Sequence, residues 1–253
     1  MRVLVQREGI DRQVVVVPDA AALAQEAAGR FFEQARTAVE SHGRFSVALS
    51  GGSTPEGTYR LLASEPYRDQ IPWDRVHLFW GDERCVPPDD PGSNYRLADQ
   101  VLISRVPIPA GNVHRMPGEL APEAAARAYR RELEEFFCGP VPRLDLVLLG
   151  LGSDGHTASL FPGADALEEV TDMVVAVEAD YEGRPAQRVT LTLPAINAAR
   201  QVLFLVSGES KAGIVAQVLG SRTGPLPAER VCPTAGEVTW LLDEAAVSEL
   251  AEE

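Results

Sequence analysis

The stretch Leu144-Asp145-Leu146-Val147-Leu148-Leu149-Gly150-Leu151-Gly152-Ser153-Asp154-Gly155-His156 decides how this chain folds. Its first six residues are almost continuously apolar, the pattern of a strand covered on both faces, as in a parallel sheet. The glycines and polar residues that follow end that strand in a turn. Working outward, the same unit recurs. Upstream, VVVVP (14–18) reads as a strand, and Asp19 is predicted to cap a helix over about 20–41 with Leu23, Ala27, Phe31 and Ala35 on one face. Phe45–Leu49 is a strand running into Ser50-Gly51-Gly52-Ser53-Thr54-Pro55, where Thr54 reads as an N-cap and Pro55 as the first residue of a helix to about Ala63. Val76–Trp80 is a strand ending in Gly81-Asp82-Glu83-Arg84. A Pro/Asp/Gly loop (87–92) then precedes a helix near 94–104, and a further helix spans Ala121–Phe137. Downstream, strands are predicted at Val174–Val177, Arg188–Leu193 and Val202–Val206. A helix then runs to about Leu219, and a last strand, Val238–Leu242, precedes a short C-terminal helix. Strand alternating with helix means an α/β fold with a mainly parallel sheet. Residues 1–253 are expected to form one domain with an irregular excursion near 106–140, without repeats or a linker.

Composition narrows the function. The chain has 253 residues, 37 acids and 23 bases, a formal charge of −14. Of the bases 22 are Arg and one, Lys211, is Lys. So acidic a surface suits neither nucleic acid nor an anionic membrane, and the expected partner is a small molecule. Lys211 stands between Ser210 and Ala212, so no Gly-Lys-Ser/Thr phosphate loop exists. Cys85, Cys138 and Cys232 are scattered and form no CxxC, which fits a reducing compartment. The first residues do not form a signal peptide, because Arg7 and Glu8 cut the apolar run, and no run approaches the ~20 residues of a membrane helix. A cytoplasmic protein is expected. Oligomeric state, monomer or small homo-oligomer, is not legible.

In an open α/β sheet, ligands bind beyond the carboxyl ends of the strands. Four such ends carry polar clusters: Ser50–Thr54, Gly81–Arg84, Gly150–His156 and Ser207–Lys211. Ser50-Gly51-Gly52-Ser53-Thr54 offers glycine backbone and a helix N-terminus to an anion; a simple capped turn would look similar. Gly150-x-Gly152-x-x-Gly155 matches the dinucleotide fingerprint, with Glu178 or Asp180 as the distant acid. Pro162-Gly163 ends any helix after about one turn, too soon for a Rossmann helix. His156, held in that glycine-rich turn, suits a general base, whereas His42, His77 and His114 read as structural. Metal binding is disfavoured, since no HxxxH, HxH or Cys/His pair occurs. Arg84 and Lys211 can concentrate positive charge, although a lone arginine is often only a solvated surface residue. Ser207-Gly208-Glu209-Ser210 reads as another anion-friendly turn. Without Gly-x-Ser-x-Gly or a Cys/His pair, attack by activated water is simpler than a covalent nucleophile.

ALSGGSTP (48–55), FWGDERCVP (79–87), SNY (93–95), LVLLGLGSDGHTASLFPG (146–163), RVTLTLPAINAAR (188–200) and LFLVSGESKA (203–212) together resemble the 6-phosphogluconolactonases, over residues of about 20 to 245. The resemblance implies a three-layer, Rossmann-like α/β sheet with helices on both faces. It implies hydrolysis of 6-phospho-D-glucono-1,5-lactone in the oxidative pentose phosphate pathway, without an organic cofactor. By the same resemblance His156 is the catalytic histidine, Arg84 and Lys211 hold the phosphate, and Ser50, Gly51, Gly52, Ser53 and Thr54 form the binding loop. Asp154, Gly155 and Arg188 are expected in the substrate-binding set. Asp82 is expected to orient the water or the histidine, and backbone N–H groups near Gly152 or Gly155 to stabilise an oxyanion. The sister glucosamine-6-phosphate deaminases carry a carboxylate five residues after the histidine, where this chain has Phe161. That rival, and a non-catalytic sugar-phosphate-binding protein, remain as alternatives.

Overall fold

A computed structural model describes residues 2–7, 10–181, 183–220 and 226–250. In chain order the strands are β1 (Arg2–Arg7), β2 (Ile10–Val17), β3 (Phe45–Leu49), β4 (Val76–Trp80), β5 (Asp82–Arg84), β6 (Leu146–Leu149), β7 (Val174–Glu178), β8 (Gln187–Leu191), β9 (Gln201–Val206) and β10 (Glu237–Asp243). The helices are α1 (Ala20–His42), α2 (Ser53–Leu62), α3 (Tyr67–Gln70), α4 (Asn94–Val101), α5 (Pro122–Phe137), α6 (Leu193–Asn197) and α7 (Ala212–Leu219). One sheet has the order β1-β2-β10-β9-β6-β3-β4, parallel throughout except for β1, which pairs antiparallel with β2. Every residue of β3 and of β6 is buried, as their unbroken apolar runs require of central strands covered on both faces.

Helix α1 follows its sequence closely. The Asp19 carboxylate accepts the Ala22 N–H at 2.8 Å, a cap worth about 1 kcal/mol, and Leu23, Ala27, Phe31 and Ala35 face the core. At its other end Gly43 takes a left-handed φ of 82° and returns its N–H to Val39.

Other boundaries differ from the sequence reading. Helix α2 starts at Ser53, not after Thr54. Gly52, at φ 108°, turns the chain off β3 at once, so Thr54 lies inside the first turn and caps nothing. Helix α4 ends at Val101, and Ile103–Arg105 is a separate single turn. The strand expected to reach Leu193 stops at Leu191, and Pro194 opens α6 instead. After β10 there is only a short turn at Ala245–Val247.

The largest departure is at Asp82–Arg84, expected as a loop. These residues form β5 and pair antiparallel with β8, which pairs with β7, in a second, three-stranded sheet. Gly81 is the passage between the sheets: its N–H donates to Leu49 O at 2.9 Å, and its carbonyl accepts from Leu191 at 2.8 Å.

At the amino ends of the central strands Asp145, 4% exposed, gathers several elements. It accepts the Ser46 N–H (2.9 Å) and hydroxyl (2.8 Å), and His42 Nε2 and Arg200 Nε stand 3.1 and 3.2 Å from it. It thereby ties α1, β3, β6 and β9 together at the end of the sheet opposite the polar clusters. Among the described residues no helix is long and apolar enough to cross a membrane.

On β4, His77 Nδ1 lies 3.1 Å from His114 Nε2, and His114 Nδ1 lies 2.8 Å from Glu132 on α5. The His114 ring stacks on Phe79 at 4.4 Å. Burial, then the neighbouring His114 and Arg44, push His77 from the ordinary 6.5 down to about 4. The unfolded chain binds a proton there that the folded chain refuses until about pH 4, so stability falls as pH drops through that window. Urea unfolding of wild type should therefore lose more stability between pH 7 and 5 than His77→Gln does; equal losses would remove His77 as the cause.

Candidate active site

Winding of the parallel sheet reverses between β3 and β6. The chain adds β4 on one side of this pair, and β9 and β10 on the other. Such a switch point opens a crevice at the carboxyl ends of the strands. A cleft of about 220 Å³ lies there, lined by all four of the polar segments picked out in the sequence.

Ser50 is the first residue beyond β3, where its peptide groups lose their sheet partners. Buried Tyr59 replaces them: its hydroxyl accepts the Ser50 N–H at 3.0 Å and donates to Ser50 O at 2.8 Å. Gly51 then presses against Asn94, where a Cβ would stand 1.9 Å from Oδ1. Only glycine allows this approach. Asn94 Nδ2 in turn donates to the Asp82 carbonyl (2.9 Å) and carboxylate (3.2 Å), locking the loop to β5. Ser50 to Pro55 line the cleft at the amino end of α2, where N–H groups lack intrahelical acceptors.

Strand alternation explains β5. Asp82 and Arg84 project to the cleft side, and Glu83 to the other. Glu83, 3% exposed, accepts the N–H groups of Arg84 (2.8 Å), Asn94 (2.7 Å) and Tyr95 (2.7 Å) and the Ser93 hydroxyl (2.9 Å). Burial raises its pKa against those four hydrogen bonds. It pins the start of α4 to the strand that carries Arg84. The partner directly across from Arg84 in the ladder is Arg188 on β8. Arg84 Nη1 donates to Gly92 O at 2.6 Å. Arg188 is 2% exposed and lies 5.4 Å over the Phe161 ring. Burial lowers the Arg188 pKa, with Asp82 opposing.

Beyond β6 the glycine-rich turn closes on itself. The Gly152 N–H donates to His156 O at 2.8 Å, the Gly155 N–H to Gly152 O at 3.1 Å, and Thr157 Oγ1 to Gly150 O at 2.9 Å. The expected oxyanion donors at Gly152 and Gly155 are therefore committed to the turn. The Asp154 carboxylate accepts the His156 N–H at 3.1 Å and sits 2.5 Å from His156 Nδ1. A side chain at Gly152 would place its Cβ 2.0 Å from Nδ1, so that position admits only glycine. Asp154 and Gly155, expected among the substrate contacts, do not line the cleft. An aspartate two residues before its partner closes an Asx-type turn, which directs it behind the histidine. Gly155, at φ 84°, packs against Leu226.

A carboxylate only accepts, so Nδ1 carries the proton and Nε2 keeps its lone pair. Phe161 and Tyr181 pack on the imidazole, 4.4 and 4.6 Å between ring centres. Burial pulls the His156 pKa below 6.5; Asp154 and Asp82 oppose, and Arg188 adds to the fall. Burial thus favours the neutral ring. Asp82, expected to orient water or histidine, is held by Ser159 Oγ (2.6 Å) and Asn94 and reaches the cleft. Orientation of the ring belongs to Asp154.

Beyond β9, Ser207 Oγ donates to Asp243, and the Gly208 N–H donates to both its oxygens at 3.0 and 3.1 Å. This turn is a bracket rather than an anion cradle, and it presents Lys211 to the cleft just before α7. Asn94, Tyr181 and Arg184 also line the cleft. The sequence reading assigned them no role: Ser93-Asn94-Tyr95 was legible as a motif, whereas the segment bearing Tyr181 and Arg184 has no pattern to betray it.

Ser50 Oγ, Arg84 Nε and Arg188 Nε and Nη2 are buried without a protein partner. Buried donors left so cost about 1–3 kcal/mol each, a cost that an oxygen-rich anion would remove. Among the described residues no group of three or more His, Cys, Asp or Glu is placed to hold a metal ion.

Residues 18–240 match the family model described as "Glucosamine-6-phosphate isomerases/6-phosphogluconolactonase". A 6-phosphogluconolactonase from Nostoc sp. is 43% identical over 246 residues, covering 95% of this chain and 99% of the relative. The structure of 6-phosphogluconolactonase from Trypanosoma brucei superposes with a TM-score of 0.83 at 33% identity, covering 94% of this chain and 98% of that one. A monomeric glucosamine-6-phosphate deaminase, at 23% identity, superposes with a TM-score of 0.80 over 93% of this chain and 99% of its own, a likeness of fold alone. The chain belongs to the glucosamine-6-phosphate isomerase/6-phosphogluconolactonase family.

Proposed function

We propose that this chain hydrolyses 6-phospho-D-glucono-1,5-lactone to 6-phosphogluconate, with His156 as the base that activates water. The observation that carries this is the pairing of a neutral, oriented imidazole with a cleft of buried, unpartnered guanidinium and hydroxyl donors. A base is thereby placed beside a site for a small anion. Names of the relatives agree with this substrate.

Water attacks C1 of the lactone while His156 Nε2 takes its proton, and the carbonyl becomes an oxyanion. Collapse re-forms the carbonyl, breaks the bond from C1 to the ring oxygen, and returns the proton from the imidazolium to that oxygen. The product acid then ionises. Asp154 stabilises the transient imidazolium and fixes its tautomer. Asp82 faces the cleft with acceptor capacity beyond its bonds to Ser159 and Asn94, which suits it to hold the attacking water. Arg84, Lys211 and the Ser50–Thr54 loop hold the phosphate. Binding at the phosphate positions the reacting carbon beside His156.

One feature favours hydrolysis over deamination and isomerisation. The fold is common to both, so fold does not decide. The position five residues after His156 is Phe161, which packs on the imidazole at 4.4 Å and can move no proton.

Freshly generated 6-phosphogluconolactone should release acid well above its spontaneous rate, and glucosamine 6-phosphate should release no ammonia; the reverse pattern would assign the sister activity. His156→Ala should lower kcat by roughly 10²–10⁴ with unchanged circular dichroism, and turnover at the wild-type rate would end the base assignment. Arg84→Ala and Lys211→Ala should mainly raise KM, by roughly 10–100-fold, the worth of a charge-assisted hydrogen bond. Because the His156 pKa lies below 6.5, the acid limb of kcat/KM should fall below that pH. Asp154→Asn, lacking the charge that favours protonation, should move the limb lower still and reduce kcat. A limb that stays in place would remove Asp154 from the pair.

A further inference from the structure

The proposed hydrolysis leaves one need unmet: a donor for the oxygen that becomes negative when water adds to C1. In the turn around His156 the two glycines expected to serve offer none, since the Gly152 N–H is taken by His156 O and the Gly155 N–H by Gly152 O. We infer that Arg188 meets that need, its guanidinium holding the lactone carbonyl oxygen, while Arg84 and Lys211 hold the phosphate. This inference rests on the lactone reading and assigns the two ends of the substrate within it.

Three observations separate Arg188 from Arg84, although the two are direct cross-strand partners. Arg84 is anchored sideways, with Nη1 on Gly92 O at 2.6 Å in the loop before α4. Arg188 instead lies on Phe161 at 5.4 Å, and Phe161 lies on His156 at 4.4 Å, so its guanidinium belongs to the imidazole end of the cleft. Its charge also acts on His156, adding to the depression of the histidine pKa.

Its burial suits the role. Arg188 is 98% buried, yet both Nε and Nη2 lack a partner, and the residue lines the cleft. Asp82, alongside on β5, opposes the loss of its charge. A fixed pair of buried N–H donors acts most strongly on charge that appears only in the transition state, and needs no rearrangement when it appears. The Arg188 charge also favours neutral His156 before attack, and the oxyanion then offsets that effect as the imidazolium forms.

Steady-state kinetics on 6-phosphogluconolactone, with inorganic phosphate as a competing probe, tests the assignment. Arg188→Met should lower kcat by roughly 10²–10³, the usual loss for one oxyanion donor. Its KM and phosphate inhibition constant should stay near wild type. Arg84→Ala should do the opposite, raising KM and the phosphate inhibition constant by a larger factor than it lowers kcat. Arg188→Lys retains charge without the planar fork and serves where the methionine variant fails to fold; it should recover only part of kcat and leave phosphate inhibition intact. A phosphate inhibition constant that rises in either Arg188 variant as it does in Arg84→Ala would place Arg188 on the phosphate and overturn the proposal. Absence of lactonase activity in the wild type would remove the underlying reading instead, so the two failures are distinct.

Discussion

Across the ladder between β5 and β8, Arg84 faces Arg188, and the second is almost wholly buried. Like charges directly opposite in an antiparallel pair repel, and a buried guanidinium has lost its water. Much of the architecture around the cleft answers that constraint. Gly81 lets the chain leave the parallel sheet and begin a second one, with hydrogen bonds to both sheets. Glu83 points away and draws α4 onto the strand through four hydrogen bonds, while Asp82 points inward beside Arg188. Phe161 offers its ring face to the guanidinium. What remains unsatisfied is the donor capacity of the two side chains. An anionic ligand supplies it, which makes binding and local stability one and the same question.

The histidine is governed by a different constraint, steric rather than electrostatic. Asp154, Gly155 and His156 fold back so tightly that Gly152 has no room for a Cβ. That tightness sets the 2.5 Å approach of Asp154 to Nδ1 and fixes which nitrogen keeps its lone pair. The same turn takes up the N–H groups of Gly152 and Gly155. The cleft thus draws on two sheets: His156 follows a strand of the parallel sheet, and Arg84 and Arg188 belong to the small antiparallel one.

Legibility in the sequence followed the range of the interactions. Helix α1 and the central strands were readable because caps and apolar runs act over a few neighbouring residues. His156, Arg84, Lys211 and the Ser50 loop were readable for a related reason: each follows directly after a strand, where the fold class puts ligands. Two readings failed on contacts between distant segments, and a third on a local bend. Asp82–Arg84 became a strand only because β8, about a hundred residues later, lies beside it. The Ser207-Gly208 donors turned to Asp243 at the end of β10 rather than to a ligand. Thr54 lost its capping role because Gly52 could bend the chain sooner.

The negative charge of −14 belongs to the surface as a whole and says little about the cleft, which gathers Arg84, Arg184, Arg188 and Lys211. Sequence by itself determined the fold class and the four polar strand ends that line the cleft, since these depend on local periodicity and turn chemistry. Tertiary structure alone decided that Asp154 stands against Nδ1 of His156, that the Gly152 and Gly155 N–H groups are taken within the turn, and that Arg188 lies buried opposite Arg84. Those outcomes depend on which remote segments share a register and how closely they approach, and no single stretch of chain encodes that.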